Sequence, residues 1–128
     1  MSNRSAYKLK GFGPLYIINL DEQPERMEWM SNQLEEWEIK DYTRISAYDG
    51  RPSTGDDLSD IITGKYPESV TPGEIGCVTS HLKALKHFVE ETNEPYAIIM
   101  EDDCDISIAR FWTFTWRQFL SVSYTHLT

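Results

Sequence analysis

The chain has 128 residues, of which 40% are apolar, and this is enough for one globular domain with a buried core. Its net charge of −9 argues against nucleic acid or an anionic membrane surface as a partner, because both require a basic surface. The sequence has no apolar run of transmembrane length and no secretory signal, so we expect a cytoplasmic protein. Its three histidines and two cysteines lack zinc-ligand spacing, which favours two reduced, buried thiols over a zinc site.

The first predicted strand covers residues 14–20, where consecutive apolar residues are typical of a parallel strand that is buried on both faces. A helix follows, and Pro24 suits its first turn. The apolar face of this helix is predicted to consist of Met27, Met30, Leu34 and Trp37. Arg26 lies just past the carboxyl end of the strand. Its spacing is equally compatible with binding a nucleotide or phosphate and with a solvated charge paired to a nearby Glu.

The middle of the chain predicts a second strand at residues 42–47 and a long loop at residues 51–70, with at most a short helix near residues 58–62. A second helix is predicted for residues 71–91, with Thr71 as its cap and Glu74 completing a capping box. We expect its apolar stripe to pack on the sheet. This stripe consists of Ile75, Val78, Leu82, Leu85 and Val89.

The most informative stretch is residues 96–105, where an apolar run leads directly into four carboxylates. The run predicts another strand buried on both faces, so the carboxylates would lie at its carboxyl end, where α/β sheets bind ligands. Oxygen ligands suit Mg²⁺ or Mn²⁺, and we therefore expect a divalent-metal site that holds a phosphate-bearing ligand. A solvated acidic loop is the alternative. The four carboxylates are Glu101, Asp102, Asp103 and Asp105.

The last part of the chain is rich in aromatic residues between positions 106 and 120. This density predicts packing against the sheet or a neighbouring surface, and we favour a short helix with Arg110 and Arg117 exposed. Residues 121–128 show no pattern, and we interpret them as a non-native tail that follows a fragment of a longer protein.

Three segments together resemble glycosyltransferase family 25, which includes bacterial lipooligosaccharide galactosyltransferases and collagen galactosyltransferase domains. They are residues 16–21 followed by 24–26 (YIINLD and PER), residues 73–81 (GEIGCVTSH) and residues 98–103 (IIMEDD). The resemblance implies a GT-A-like, Rossmann-like α/β fold with a mixed, mostly parallel sheet and flanking helices. Residues 1–120 would then be the nucleotide-sugar-binding part of a truncated transferase domain.

The resemblance also implies roles for individual residues. Asp103 would be the direct ligand of Mn²⁺ or Mg²⁺, and Asp105 would add a second ligand. The donor-binding residues would be Asn19, Asp21, Arg26, Ser80, His81, Glu101 and Asp102. The general base would lie beyond residue 120, so the resemblance identifies no catalytic residue within this chain.

The implied reaction is transfer of a hexose such as galactose from a nucleotide sugar, expected to be a UDP-sugar, to a glycan or protein acceptor. A non-catalytic divalent-cation or nucleotide-binding module is the main alternative, and donor binding without turnover would identify it. A phosphoryl-transfer domain is a third hypothesis. The absence of a Gly-rich phosphate-loop motif counts against a P-loop enzyme.

Overall fold

The computed structural model describes residues 3–49 and 67–127, so the predicted short helix at residues 58–62 lies outside the described residues. The strands within these residues are β1 (Leu15–Asn19), β2 (Tyr42–Ser46) and β3 (Ile98–Glu101). They form a parallel sheet in the order β2-β1-β3. The helices are α1 (Pro24–Glu36), α2 (Pro72–Glu91) and α3 (Trp116–Leu127), with 3₁₀ helices at Ala6–Leu9 and Ile106–Phe111. The predicted α/β class, with helices flanking a parallel sheet, is confirmed.

Strand β1 is the centre of the fold, and all five of its residues are buried as predicted. Because side chains alternate along a strand, β1 contributes to two apolar clusters on opposite faces of the sheet. Leu15 and Ile17 pack with the α1 side, where the cluster includes Met30, Leu34 and Trp37. Tyr16 and Ile18 pack with the α2 side, where the cluster includes Ile45 and Ala84. The predicted apolar face of α1 is therefore confirmed.

Helix α1 ends in a Schellman motif, which turns the chain towards β2. The Ile39 N–H donates to the Leu34 carbonyl at 2.8 Å, and the Glu38 N–H donates to the Glu35 carbonyl at 3.0 Å. The motif requires a left-handed residue, and Glu38 adopts this conformation with φ 58°. Ile39 and Leu34 are both buried in the cluster on the α1 side, which secures the turn.

The predicted packing face of α2 is wrong, although its predicted cap is confirmed. Thr71 Oγ1 accepts a hydrogen bond from the Glu74 N–H at 3.2 Å. The stripe residues Val78, Leu85 and Val89 are 46–72% exposed. The buried face consists instead of small residues, which are Gly76, Thr79, Ser80 and Ala84. Small side chains allow the helix backbone to lie close to the sheet, and this close approach determined the face more strongly than the apolar period did.

Strand β3 and the aromatic segment also differ from their predictions. The apolar residues of β3 are only half-buried, because β3 pairs with β1 alone among the described residues and so forms an edge there. The aromatic segment forms two helices where one was predicted, and α3 continues through residues 121–127. Its rings pack on one another and on Phe12, whose centroid lies 4.8 Å from that of Trp116. Arg110 and Arg117 are exposed, as expected.

None of the helices within residues 3–49 and 67–127 combines the length and the apolar character needed to cross a membrane.

Candidate functional site

A cleft of about 310 Å³ lies at the carboxyl ends of β1 and β3. One wall carries three consecutive carboxylates, Glu101, Asp102 and Asp103, at the end of β3. The first turns of α2 form another part of the wall, including Gly73 and Gly76. The residues that follow β2 also line the cleft, and they are Ala47, Tyr48 and Asp49. The cleft thus lies where parallel α/β sheets commonly bind ligands.

A polar network beneath the cleft connects the carboxyl ends of the three strands through Asn19. The Asn19 side-chain amide donates to Asp102 Oδ2 at 2.7 Å and to the Gln23 carbonyl at 3.0 Å. Arg44 Nε donates to Asn19 Oδ1 at 2.9 Å, and the Arg44 guanidinium also pairs with Asp21. These bonds satisfy the Asn19 amide, which is only 2% exposed, and hold the strand ends in one arrangement.

Asp21 lies at the outer end of this network and does not line the cleft described above. Its Oδ1 accepts hydrogen bonds from Arg44 and, at 2.9 Å, from the Ser46 hydroxyl. These two hydrogen bonds hold the pKa of the Asp21 carboxyl below its usual value. Its predicted contact with a nucleoside stays a prediction. Asn19 lies below the cleft and is saturated by its own partners.

Arg26 lines the cleft and is also an ion-pair partner, so the two interpretations of its spacing are compatible. Its Nη1 lies 3.5 Å from Asp102 Oδ1, and 57% of its side chain is exposed. The partner is an aspartate at the end of β3, whereas the sequence had indicated a nearby Glu. An exposed guanidinium held beside the cleft can contact a phosphate or a nucleoside.

Asp103 and Asp105 occupy different environments, although both were predicted as metal ligands. Asp103 is exposed and lines the cleft. Asp105 does not line it. Asp105 Oδ1 accepts hydrogen bonds from the Ser107 N–H at 3.0 Å and from the Ser107 hydroxyl at 2.6 Å, so that it caps the 3₁₀ helix Ile106–Phe111. These bonds keep the pKa of Asp105 low. Its role as a metal ligand stays a prediction.

Gln33 of α1 fixes the segment that carries these two aspartates. Its side-chain amide donates to the Cys104 carbonyl at 3.1 Å, and its Oε1 accepts from the Ile106 N–H at 3.0 Å. Both contacts are with backbone groups, so they position the segment without occupying the carboxylate oxygens of the two aspartates. The sequence contained no signal for this link, because 71 or more residues separate Gln33 from its partners.

Ser80 and His81 are adjacent in α2 but differ in their relation to the cleft. Ser80 is buried and lines it; its hydroxyl donates to the Gly76 carbonyl at 2.6 Å and accepts from the Tyr48 N–H at 2.9 Å. The bond from Tyr48 joins α2 to the segment after β2. His81 lies beside the cleft, and its Nε2 is 3.9 Å from Glu101 Oε1. Donor binding by either residue stays a prediction.

The cysteines do not match the expectation of two buried thiols. Cys77 is exposed and lines the cleft, and Cys104 is half-buried. Cys77 Sγ donates to Glu101 Oε1 at 3.7 Å. Partial desolvation, followed by the nearby Glu101 carboxylate, raises the pKa of the Cys77 thiol. The expectation failed because Cys77 lies on the face of α2 that points towards the cleft.

Sequence reasoning also missed Arg44 and Tyr48, whereas it named Asp49, with Glu74 and His81, as a candidate general base in case the chain itself transfers sugar. A usable signal existed for Tyr48, because it directly follows a predicted parallel strand and therefore belongs to the same sheet edge as the acidic residues. Arg44 gave a weaker signal, as a cation within an otherwise uncharged strand. Its bond to Asn19 depends on the parallel register that pairs Ile17 with Arg44.

The family model for glycosyltransferase family 25 (LPS biosynthesis protein) matches residues 12–117. The chain belongs to glycosyltransferase family 25. It is 34% identical over 101 residues to a "Glycosyltransferase 25 family member" of Aedes aegypti, a match that covers 73% of this chain and 16% of that protein. It is 29% identical over 105 residues to "Procollagen galactosyltransferase 1-A" of Xenopus laevis, covering 76% of this chain and 17% of that protein.

A "Glycosyltransferase 25 family member" of Drosophila pseudoobscura pseudoobscura is 31% identical over 98 residues, covering 70% of this chain and 15% of that protein. The matched part of the chain therefore spans about a sixth of the length of these relatives. No solved structure gives a significant match. The predicted family is confirmed, and all three motifs on which the resemblance rested lie within the matched residues.

Proposed function

We propose that this chain is the donor-binding part of a metal-dependent glycosyltransferase that takes a sugar from a nucleotide sugar. The observation that carries the proposal is the cleft at the carboxyl ends of β1 and β3, which three consecutive carboxylates line. Membership of glycosyltransferase family 25 supports the reaction class. A UDP-hexose donor such as UDP-galactose, and a glycan or protein acceptor, are the substrates that we infer for the whole enzyme.

The proposed metal site fits the residues present. Asp103 offers an exposed carboxylate in the cleft, and Glu101 lines the same wall. Carboxylate oxygens are the ligands that Mn²⁺ and Mg²⁺ prefer. When bound, the ion would neutralise negative charge that develops on the departing nucleoside diphosphate. Asp102 is a weaker candidate for direct ligation because Asn19 and Arg26 already contact its two oxygens.

The rest of the cleft fits the diphosphate of such a donor. The first turn of α2, with Gly73, lines the same cleft as the carboxylates, and helix N-termini favour phosphate groups through their backbone N–H groups. Arg26 adds an exposed cation beside the same space. A bound metal ion, the helix N-terminus and Arg26 would each offset the repulsion between the diphosphate and a protein of net charge −9.

Calorimetric titration with UDP, with and without manganese, tests the proposal. We expect manganese to tighten UDP binding by about tenfold or more, equivalent to roughly 1.4 kcal/mol. Asp103→Asn should remove most of this gain while leaving the fold intact, because the Asp103 side chain is exposed. Asp41→Asn is the matched control, since it removes the same charge at an exposed position next to the opposite end of β2.

Equal UDP affinity with and without manganese would contradict the metal-bridged donor. Asp105→Asn tests whether Asp105 binds the metal in addition to Asp103. If it behaves like Asp41→Asn in the titration, Asp105 acts only as a helix cap, and if it behaves like Asp103→Asn, both aspartates bind the metal. Release of UDP from any member of a panel of nucleotide sugars, with simple sugar acceptors present, would rule out the alternative of a non-catalytic cation or nucleotide-binding module. Because the general base is expected beyond residue 120, we expect little or no sugar transfer by this chain alone.

A further inference from the structure

Three side chains of different chemistry converge beside the cleft, and Asp103 is not one of them. Cys77 and His81 are four residues apart on α2, so they project from the same helix face. Glu101 meets them from the end of β3. Its Oε1 lies 3.7 Å from Cys77 Sγ and 3.9 Å from His81 Nε2, and all three potential ligand atoms lie within 4.8 Å of one another.

We propose that Cys77, His81 and Glu101 form a binding site for a thiophilic divalent cation, with Zn²⁺ as the ion of best fit. Zinc bonds of roughly 2.0–2.3 Å in tetrahedral geometry place neighbouring ligand atoms about 3.3–3.8 Å apart. The contact of Glu101 Oε1 with Cys77 Sγ, at 3.7 Å, falls within this range, its contact with His81 Nε2, at 3.9 Å, lies slightly beyond it, and the three ligand atoms all lie within 4.8 Å of one another. An inward rotation of the side chains that moves their ligand atoms by up to about 1 Å therefore closes the site around an ion.

Such a rotation meets little resistance. Side-chain exposure is 40% for His81 and 50% for Glu101, and Cys77 is also exposed. The α2 backbone beneath them is helical from Pro72 to Glu91, so the spacing of Cys77 and His81 does not depend on a flexible loop. Glu101 belongs to β3, whose register with β1 pairs it with Ile18. The helix and the strand thus fix the backbone positions of three exposed side chains whose ligand atoms lie close together.

The ligand chemistry distinguishes this site from the proposed manganese site. Thiolate and imidazole favour zinc, whereas Mn²⁺ and Mg²⁺ favour oxygen. Three protein ligands leave the fourth tetrahedral position open. Cys77 and Glu101 both line the cleft, so that position would be accessible to water or to a donor atom of a ligand bound there. Cys77 was not associated with a metal by its sequence spacing, because the third ligand lies 24 residues away.

Metal titration of the reduced 128-residue chain, without nucleotide, tests the site. We expect one zinc ion per chain by competition with a chromophoric chelator. Cobalt substitution should produce a thiolate-to-metal charge-transfer absorption, since Cys77 would be a direct ligand. Cys77→Ser and His81→Gln should each weaken zinc binding by about 100-fold or more, because loss of outer-shell partners alone typically costs 10–100-fold.

Matched controls exist within the chain. Cys104→Ser and His87→Gln make the same chemical changes at the half-buried cysteine and at a histidine of α2 that contacts Tyr16, so both should keep the parental zinc affinity. Asp103→Asn should also keep it, which separates this result from the test of the manganese site. Parental zinc affinity in Cys77→Ser, or an equal loss in Cys104→Ser or Asp103→Asn, would overturn the proposal. Circular dichroism of each variant verifies that affinity is compared between folded proteins.

Discussion

Replacement of Asn19 by Ala tests whether the polar network beneath the cleft holds the strand ends together. Asn19 is 2% exposed and makes three side-chain hydrogen bonds, two of them to the charged residues Asp102 and Arg44. The third bond goes to the Gln23 carbonyl. Alanine removes all three while leaving the partners in place, so the cost depends on how well each partner is satisfied by something else.

The expected loss of unfolding free energy in Asn19→Ala depends on how buried each hydrogen-bond partner of Asn19 is. Asp102 is 8% exposed and would lose its shortest bond, and a bond to a charged group contributes roughly 1.5–3 kcal/mol. The Gln23 carbonyl adds about 0.5–1.5 kcal/mol. Arg44 adds little, because its guanidinium keeps the Asn19 carbonyl and Asp21 as partners. We therefore expect Asn19→Ala to lower the free energy of unfolding by about 3 kcal/mol.

Chemical denaturation monitored by circular dichroism measures this difference, and thermal unfolding should show a fall in Tm of roughly 10 °C for a chain of this size. Asn32→Ala is the matched control, since it removes the same amide from an exposed position of α1. We expect it to change stability by less than about 0.5 kcal/mol. A loss below about 1 kcal/mol for Asn19→Ala would show that water replaces the amide and that the network is not required.

Two further predictions concern local backbone strain and pH dependence. Glu38→Gly should stabilise the protein by about 1 kcal/mol in chemical denaturation, because glycine adopts the φ of 58° without steric cost. Glu36→Gly is the control and should destabilise the protein by about the same amount, because it places glycine inside the last turn of α1. Hydrogen bonds from Arg44 and Ser46 lower the pKa of Asp21 in the folded state. The Asp21 carboxylate therefore stabilises the fold at pH values above the pKa that it has in the unfolded chain, and this stabilisation is lost as the pH falls through the pKa of the folded state. Asp21→Asn should therefore reduce stability at neutral pH and flatten the fall in stability below about pH 4; a parental acid limb in Asp21→Asn would contradict this linkage.

The elements that the sequence predicted well are those whose signals are local. Five consecutive apolar residues identified β1 as a central strand, and the Thr71 cap fixed the start of α2 to the residue. The period of Met30, Leu34 and Trp37 gave the buried face of α1 because these residues pack in one apolar cluster. In each case the residues that carry the signal lie within a few positions of one another in the sequence.

The buried face of α2 was mispredicted because distant contacts decide it. Ser80 bonds to the Tyr48 backbone, 32 residues away, and Lys83 Nζ donates to the Ser46 carbonyl at 2.7 Å, 37 residues away. These bonds, together with the small size of Gly76 and Ala84, bring the polar side of the helix to the sheet. The apolar stripe with Val78 and Val89 remains exposed, and periodicity alone cannot detect this reversal.

In the candidate site, too, some features could be predicted from neighbouring residues, whereas others depend on contacts between residues that are distant in sequence. The location of the site could be predicted from the acidic residues that follow an apolar strand. The sequence did not predict that these carboxylates differ in burial. Asp102 and Asp103 are neighbours in sequence, yet one is buried against Asn19 and the other is exposed in the cleft. Because Asp102 is held from the β1 side and Gln33 holds the backbone at Cys104, Asp103 lies between two fixed points. The exposed carboxylate is thus positioned by neighbours that do not themselves need to touch a ligand, which is the preorganisation that a metal-bridged donor requires.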